Sequence, residues 1–351
     1  MFRFSCGSKM GPGPRRGGAF TAVADMTSET VKYDFLTLGE TLIRFSPPGM
    51  QRLDQARLLE AGIGGSELNV ACLLARLGRR AAWVSRLPEG PLGRIVEGEG
   101  RRHGVDMSLC RWVEARQGLM FFEAGPQPRN ARVIYDRKNS AAAGMSVADA
   151  DWPALVGASA RVHLSGITPA LSEACRALVL EVAALAGSAG TKLSYDLNYR
   201  ATLTTPKEAA AVLAAVAPHL ELFVVAERDA QHVLGFAEAG ERLAEAIATR
   251  YGVPLLALTR PPSSDTGDIF LSHGTIRYAP RYPVEIVDRI GAGDSFVGGL
   301  IHGLLDDDPD RAIRLAAYAA AVGLATPGDI NYFGSEDLAA FDADLTGRLV
   351  R

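Results

Sequence analysis

One glycine-rich stretch near the C-terminal end, VDRIGAGDSF at residues 287–296, combines residue types that could handle a phosphoryl group. Gly291 and Gly293 precede the apolar run SFVGGLIHGLL, which predicts a helix. Their backbone N–H groups could approach a ligand closely, and N–H groups at a helix N-terminus form an anion site. Asp294, in the same turn, could accept the proton of an alcohol that attacks phosphorus. The alternative is that Asp294 only caps the helix.

A second polar pattern, GGSELN at residues 64–69, also precedes a predicted helix. Asn69 falls in the first turn of that helix. Its amide could face a small hydroxylated ligand, or it could hydrogen-bond to the local backbone instead.

Two other glycine-rich segments do not fit nucleotide motifs. GSAGTK at residues 187–192 joins a helix to a strand, which is the reverse of the order in a phosphate loop. GIGGSE at residues 62–67 lacks the third glycine of a dinucleotide fingerprint. We therefore assign neither segment to a nucleotide.

Composition excludes several classes of function. The 351 residues carry a formal net charge of −3, and no basic run typical of nucleic-acid binding is present. No apolar stretch approaches the roughly 20 residues that cross a bilayer. The four cysteines lie far apart without metal-ligand spacing, which is typical of reduced thiols and predicts a cytoplasmic protein.

Alternating strands and helices must position the two polar motifs. From Tyr33 onward, short apolar strands alternate with helical patterns, which predicts a mostly parallel sheet covered by helices on both faces. Ligands of such sheets bind at the carboxyl ends of the strands. The stretch YPVEIVD at residues 282–288 is predicted to be the strand that leads into the turn of Asp294.

Two segments, near residues 44–64 and 110–144, interrupt this alternation. The second alternates like hairpin strands around the turn GPQPRN. Together they predict a small sheet that could cover a ligand, and its unpaired edges favour a homo-oligomer. Residues 1–30 are rich in Gly, Pro and Arg and predict a disordered tail, which leaves residues 31–351 for one domain.

The motifs GGSELNVACLLARLG and DRIGAGDSFVGGL together resemble the paired signatures of the PfkB, or ribokinase-like, carbohydrate kinases. The resemblance covers about residues 34–342. It is sharpest to the 2-keto-3-deoxygluconate kinases, on the pieces LGETLIRFSPPG, VIYDRKNSAAA, HLSGITPALS, SYDLNYR and TPGDINYF. It implies a doubly wound α/β domain with a β-sheet lid. The implied reaction is phosphate transfer from ATP, assisted by Mg²⁺, to the 6-hydroxyl of the sugar acid.

The resemblance also implies roles for individual residues. Asp294 would be the general base, and the backbone of Gly291, Ala292 and Gly293 would hold the phosphoryl group. Substrate would contact a set of residues from both motifs and the small sheet: Gly64, Gly65, Glu67, Asn69, Tyr135, Arg137 and Asp329. ATP and its phosphates would contact Asn198, Arg200, Glu227, Thr259, Arg260 and Gly267. No direct metal ligand is implied, only Glu227 and Asp229 acting through water.

Three departures from the family pattern keep other functions open. Met120 stands where the subfamily commonly has a tyrosine, VVAERDA replaces an Asn-Glu-x-Glu segment, and TRPPSSDTGD replaces a TxGxxG nucleotide loop. The alternatives are a kinase for a neutral sugar, of the fructokinase or ribokinase type, and a sugar-binding sensor without catalysis.

Overall fold

The structure, a computed structural model, describes residues 33–344 apart from residues 127, 262, 263 and 265. The tail predicted for residues 1–30 lies outside the described residues. The strands are β1 (Phe35–Leu38), β2 (Leu42–Ser46), β3 (Glu60–Gly64), β4 (Ala81–Val84), β5 (Arg86–Pro88), β6 (Arg111–Val113), β7 (Gly118–Glu123), β8 (Arg132–Asp136), β9 (Arg161–Ser165), β10 (Lys192–Asp196), β11 (Leu222–Ala226), β12 (Leu255–Thr259), β13 (Ile269–Ser272) and β14 (Thr275–Tyr278). The helices are α1 (Ser66–Arg76), α2 (Pro91–Arg102), α3 (Trp152–Gly157), α4 (Glu173–Ala189), α5 (Pro206–Val216), α6 (Glu227–His232), α7 (Gly240–Tyr251), α8 (Ala292–Leu304), α9 (Pro309–Leu324) and α10 (Ser335–Asp344).

An eight-stranded sheet forms the centre of the domain, in the order β14-β13-β12-β11-β10-β9-β1-β4. In this sheet β4, β1, β9, β10, β11 and β12 pair in parallel, while β13 and β14 add an antiparallel edge. One apolar core joins the sheet to α4, α5 and α7, and a second joins it to α1, α2, α8 and α9. Because helices cover both faces, interior strands such as β11, with the sequence LFVVA, are apolar throughout. The predicted doubly wound, mostly parallel sheet is confirmed.

Helix α4 shows how local sequence sets the length of a covering helix. The Ser172 hydroxyl accepts a hydrogen bond from the Cys175 backbone N–H at 3.1 Å, which satisfies one free donor of the first turn. The helix ends at Gly190, whose φ of 71° lies in the left-handed region that favours glycine. Between these ends, Leu178 and Val182 are fully buried against the sheet.

A second, smaller sheet has the order β3-β2-β7-β8. Strands β7 and β8 form the antiparallel hairpin predicted within residues 110–144, and β2 joins it in parallel through β7. In β7, buried and half-buried residues alternate, and the buried side chains of Met120 and Phe122 point to one face. This sheet stands beside the carboxyl ends of the central strands, since β3 leads directly into α1.

Residues 282–288 do not form the predicted strand, so that prediction is wrong. The backbone N–H groups of Val287 and Asp288 donate instead to the Leu324 carbonyl at the end of α9, at 2.8 and 3.2 Å. Pro283 has no N–H to offer to a strand partner. Val287 is also 46% exposed, so the apolar pattern of this segment does not mark a buried strand. The segment is an irregular loop tied to α9.

Close packing of α8 on α9 places the N-terminus of α8, which carries Asp294. A Cβ added at Gly303 would lie 2.4 Å from the Cα of Ala312, a distance that real side chains do not reach. Ala312 itself is fully buried. Glycine at position 303 therefore sets how closely the two helices approach. Among the described residues, no helix is both long and apolar enough to cross a membrane.

We expect two glycine-to-alanine changes in helices to have opposite effects. Gly303→Ala should lower the free energy of unfolding by about 1–3 kcal/mol, because the added methyl group pushes α9 away. Gly98→Ala, in α2, meets nothing within 4 Å and should raise it by about 0.5–1 kcal/mol. Urea unfolding measures both values. Equal stabilisation by the two changes would contradict the close packing of α8 and α9.

Candidate active site

A cavity of about 410 Å³ lies between the carboxyl ends of β10, β11 and β12, the small sheet and the start of α8. Its position is where ligands bind to open parallel sheets. Many of the residues singled out from the sequence line it: Gly64, Gly65, Asn69, Tyr135, Arg137, Asn198, Arg200, Asp229, Thr259, Gly291, Gly293, Asp294 and Asp329. These residues come from segments that are far apart in the chain, and the fold brings them to one place.

The side chain of Asp294 lies in the first turn of α8, where α8 meets the first turn of α1. Its Oδ1 accepts a hydrogen bond from the Ser66 hydroxyl and its Oδ2 accepts one from the Asn69 side-chain amide, both at 2.7 Å. The Asn198 amide donates to the Ser66 oxygen at 2.9 Å. Because that oxygen already accepts from Asn198, the hydroxyl proton of Ser66 is directed at Asp294.

Opposing influences act on the proton affinity of Asp294. Burial raises its pKa above the ordinary value, while the hydrogen bonds from Ser66 and Asn69 and the charge of Arg200 favour the ionised form. A carboxylate that is held in place and is more basic than an exposed aspartate is suited to accept a proton. The capping role alone does not account for two side-chain donors from another helix, α1.

The glycine turn before Asp294 leaves space for an anion. Gly291 has a φ of 81°, and a Cβ there would lie 2.0 Å from the Asp329 carbonyl oxygen, so only glycine fits. A Cβ added at Gly293 would meet nothing within 4 Å, and Gly293 lines the cavity. The open space thus lies directly at the N-terminus of α8, where the helix dipole and free N–H groups attract a phosphate. Ala292 begins α8 beside it.

An arginine of the small sheet faces the cavity in an ion pair. Arg137 donates through Nη2 to the Glu40 carboxylate, which also accepts from the Ser140 hydroxyl at 3.1 Å. The guanidinium lies 5.0 Å from the Tyr135 ring centre, and its buried Nε has no hydrogen-bond partner. A guanidinium has five N–H donors, so the pair with Glu40 leaves Arg137 able to bind a further anion.

Glu67 lies behind the cavity wall rather than on it. Its side chain is fully buried, and its Oε1 accepts hydrogen bonds from the hydroxyls of Ser165 at 2.7 Å and Thr168 at 2.6 Å. Burial, with a smaller effect from the charge of Asp294, raises the pKa of Glu67 to about 7 although the two hydroxyl donors lower it. A Cβ at Gly39 would lie 2.3 Å from this carboxyl, so glycine there makes room for it. Glu67 supports the first turn of α1 from inside the protein.

A smaller cavity of about 340 Å³ adjoins the main one and shares Ala226 and Thr259 with it. Glu227 and Arg260 line this second cavity and form an ion pair at 3.4 Å. Glu227 also accepts from the Gly240 N–H at 2.7 Å, so both of its oxygens are engaged.

Gly267 lies outside both cavity walls, since a Cβ there would be 2.0 Å from the Ala279 carbonyl oxygen. In the part of the chain that the structure describes, no three His, Cys, Asp or Glu residues could hold a metal ion together. Asp229 lines the main cavity, where a Mg²⁺ bound mainly by phosphate and water would need only one or two carboxylates. The position of Asp229 in the cavity therefore fits an ion that is held mainly by phosphate and water.

Sequence reasoning missed four polar residues at this site. Ser66 and Glu40 stand inside the quoted motifs GGSELN and LGETL, so their position beside a predicted site residue was a usable signal. Arg289 directly precedes the glycine turn and lines the cavity with an exposed side chain. Arg44 contacts residues 244 and 285 positions away in the chain, and no local pattern indicates such a pairing.

Known proteins share this arrangement of elements. A family model described as pfkB family carbohydrate kinase matches residues 34–334. The chain is 39% identical to a 2-dehydro-3-deoxygalactonokinase of Haloferax volcanii, over 87% of this chain and 93% of the relative. It is 28% identical to a 2-dehydro-3-deoxygluconokinase of Bacillus subtilis, over 89% and 96%. The crystal structure of 2-dehydro-3-deoxygluconokinase from Thermotoga maritima superposes with a TM-score of 0.83 at 32% identity, covering 88% of this chain and 99% of that one.

Because the carboxyl of Glu67 is buried, we expect the free energy of unfolding to depend on pH through this group. With a folded-state pKa of about 7, above its ordinary value of 4.5, the folded protein holds this proton to higher pH than the unfolded chain does. The parent therefore loses stability as pH rises between these values. Relative to the parent, Glu67→Gln should gain about 2 kcal/mol in the free energy of unfolding between about pH 5.5 and 8.

Urea unfolding of Glu67→Gln at both pH values tests this prediction. Asp54→Asn, at a side chain that is 70% exposed, controls for the loss of one negative charge at the surface. A pH-independent difference between Glu67→Gln and the parent would show that the carboxyl is ionised to the same extent in both states.

Proposed function

Because the chain belongs to the pfkB family of carbohydrate kinases, we propose that it transfers the terminal phosphoryl group of ATP to the 6-hydroxyl of 2-keto-3-deoxygluconate. The product would be 2-keto-3-deoxy-6-phosphogluconate. The observation that carries this proposal is the hydrogen-bonded carboxylate of Asp294 beside open space at Gly293. Relatives at 28–39% identity that are named for 2-dehydro-3-deoxy sugar acids support the substrate class.

Asp294 is the proton acceptor in the proposed reaction. The substrate hydroxyl donates a hydrogen bond to the Asp294 carboxylate, and its proton moves to that carboxylate as its oxygen bonds to phosphorus. Ser66 and Asn69 hold the carboxylate in one orientation, so that little reorganisation is needed. Burial raises the pKa of Asp294 and so favours its taking up the proton.

The backbone at the start of α8 holds the transferring phosphoryl group. Gly291, Ala292 and Gly293 form the N-terminus of α8 at the open space, where the helix dipole and free N–H groups stabilise negative charge that develops on the phosphoryl group. Arg200 and Arg289 bring two further positive charges to the same cavity. ATP supplies the phosphoryl group and Mg²⁺ neutralises part of its charge. Asn198, Thr259 and Asp229 lie on the side of the cavity where the nucleotide would extend toward Arg260.

In the proposed complex, the carboxylate of the substrate binds to Arg137 beside the small sheet. Arg137 can bind a carboxylate with its remaining donors while Glu40 fixes its position. Tyr135 offers a hydroxyl to the same cavity, which Asp329 and Gly64 also line. Met120 lines the cavity without a hydroxyl, so Tyr135 is the phenol that this strand pair offers to the substrate.

The C4 epimer, 2-keto-3-deoxygalactonate, is the second candidate substrate. The observation that favours it is the 39% identity to the Haloferax volcanii protein named for that compound. An assay of ADP release with both epimers, fructose and ribose decides among the sugar acids and the neutral-sugar alternative. Sugar binding without any ADP release would support the non-catalytic sensor.

We also propose a homo-oligomer that pairs small sheets. Strands β3 and β8 are the edges of that sheet, and Val133 and Ile134 of β8 are 36% and 41% exposed. Open edges with apolar side chains tend to associate, and sedimentation analysis measures the outcome. Three cysteines in the described part, Cys72, Cys110 and Cys175, are buried free thiols, which supports a cytoplasmic location.

Asp294→Asn should lower kcat by about 10²–10⁴-fold, because the amide cannot take the substrate proton. KM for the sugar acid should change little, since the amide keeps the shape of the site. ADP release measured by a coupled assay gives both constants. Asp310→Asn, in the first turn of α9 and 72% exposed, is the matched control at a helix start outside the cavity. A kcat for Asp294→Asn within threefold of the parent would rule out the base assignment.

Arg137→Ala should lower kcat/KM about 10- to 100-fold for a sugar acid and much less for a neutral sugar, because a charge-assisted hydrogen bond is lost. The ratio of the two substrates is measured on the same variant, so any loss of stability from leaving Glu40 unpaired cancels. Arg132→Ala is the matched control, because Arg132 is exposed at the start of β8, the strand that leads into Arg137. An unchanged ratio in Arg137→Ala would mean that another group binds the acid.

A further inference from the structure

Arg44, on β2 of the small sheet, donates hydrogen bonds from its guanidinium to three different side chains. Its Nε donates to the Ser46 hydroxyl at 2.8 Å, its Nη1 to Asp329 Oδ1 at 2.5 Å and its Nη2 to Asp288 Oδ2 at 2.6 Å. Its central carbon lies 4.2 Å from the centre of the Phe122 ring on β7. The side chain is only 7% exposed, so these ion pairs are shielded from water.

The two carboxylates belong to the two loops that form the floor of the cavity. Asp288 accepts hydrogen bonds from the backbone N–H of Ile290 at 3.1 Å and of Gly328 at 3.2 Å, and so joins the loop before α8 to the loop after α9. The carbonyl of Asp329 packs against Gly291, where a Cβ would be 2.0 Å away. Arg44 therefore holds, from the small sheet, the turn that makes the anion site.

Asp329 has one oxygen left for a ligand. Its Oδ1 is bonded to Arg44, whereas its Oδ2 lies over Gly64, where a Cβ would come within 1.8 Å of it. Both Asp329 and Gly64 line the cavity, and within the described ranges no protein donor reaches Oδ2. This oxygen is therefore placed to accept a hydrogen bond from a substrate hydroxyl.

We propose that Arg44 is a positioning residue for phosphate transfer. It keeps Asp329 ionised and aimed at a substrate hydroxyl while it locks the loop of the anion site to the small sheet. The inference rests on the proposed kinase function but not on the identity of the sugar.

The charges around Asp329 make this role measurable. Burial and, less strongly, the charges of Asp288 and Asp294 raise the pKa of Asp329, Arg44 lowers it, and the net result is a pKa of about 6. On the far side, Glu99 and Arg102 of α2 line the neighbouring cleft and pair with each other at 3.3 Å. Without Arg44, Asp329 would face two carboxylates with no cation bonded to it. It would then be protonated near neutral pH and would lose its acceptor.

Arg44→Met, which keeps the length and removes the charge, tests the proposal in a pH profile. The acid limb of the profile, which is the pH range where kcat/KM for the sugar falls on acidification, should move to higher pH by about one unit or more. At about pH 7, kcat/KM for the sugar should fall about 10- to 100-fold, as expected for the loss of a charged hydrogen bond. A displaced anion loop should lower kcat, whereas KM for ATP should stay within threefold because the proposed nucleotide contacts at Asn198, Thr259 and Arg260 remain. Arg44→Lys, which restores the charge but cannot bridge both carboxylates, should return the acid limb to the parent position with only part of kcat/KM.

Arg161→Met is the matched control. Arg161 is also buried and paired, to Glu221 at 2.5 Å, but it lies at the amino end of β9, away from the cavity. Arg161→Met should lower the Tm and leave the acid limb of the kcat/KM profile at the pH of the parent. The proposal would be overturned if the acid limb of Arg44→Met stayed at the pH of the parent, or if Arg161→Met showed the same shift.

If Arg44→Met does not fold, Arg44→Lys decides the question. Its kcat/KM for the sugar must fall while KM for ATP is retained, and equal effects on both substrates would reject the positioning role. A parent protein that phosphorylates no sugar or sugar acid would instead refute the proposed function. If the parent is active on any of these substrates and Arg44→Met has the same kcat/KM and pH profile as the parent, only the role of Arg44 is refuted.

Discussion

The two hydrogen bonds from α1 to Asp294 are the interaction on which the rest of the site depends. They join the first turns of α1 and α8, so that Ser66 and Asn69 meet Asp294 across a gap of more than 220 residues in sequence. Both helix N-termini then face one cavity, where free N–H groups and dipoles favour an anion. The central sheet positions the cavity, because the carboxyl ends of its parallel strands lie at the same edge.

Buried charge explains how the small sheet is joined to that cavity. It presents two arginines, Arg44 and Arg137, and each meets carboxylates from elsewhere in the fold. A buried guanidinium without such partners would be strongly unfavourable, and breaking a buried pair is costly. The position of the sheet is therefore set by specific ion pairs in addition to apolar contact. The same pairs leave donors and one carboxylate oxygen directed at the cavity, which links the stability of the sheet to substrate recognition.

The sequence predicted the architecture well where local patterns are strong. Apolar strands, capped helices and the two glycine motifs all indicated a doubly wound sheet with a site at its carboxyl edge. The prediction was wrong at residues 282–288, where an apolar, alternating stretch is tied to the end of α9. The predicted ligand contacts of Glu67 and Gly267 stay predictions, since Glu67 lies behind the cavity wall and Gly267 packs on Ala279. Strand-like composition and glycine content describe local preference, and neither reports which neighbour a residue meets.

Sequence alone determined the chemistry that is available: a carboxylate in a glycine turn at a helix start, a polar helix start far upstream and an arginine in a hairpin. These features are local, because helix N-termini and glycine turns are encoded within a few residues. Only the tertiary structure decided which groups are paired, buried and shifted in pKa. Arg44 meets Asp288 and Asp329, Arg137 meets Glu40, and Glu67 is enclosed. Burial and electrostatic partners here arise from contacts between segments 97 to 285 residues apart.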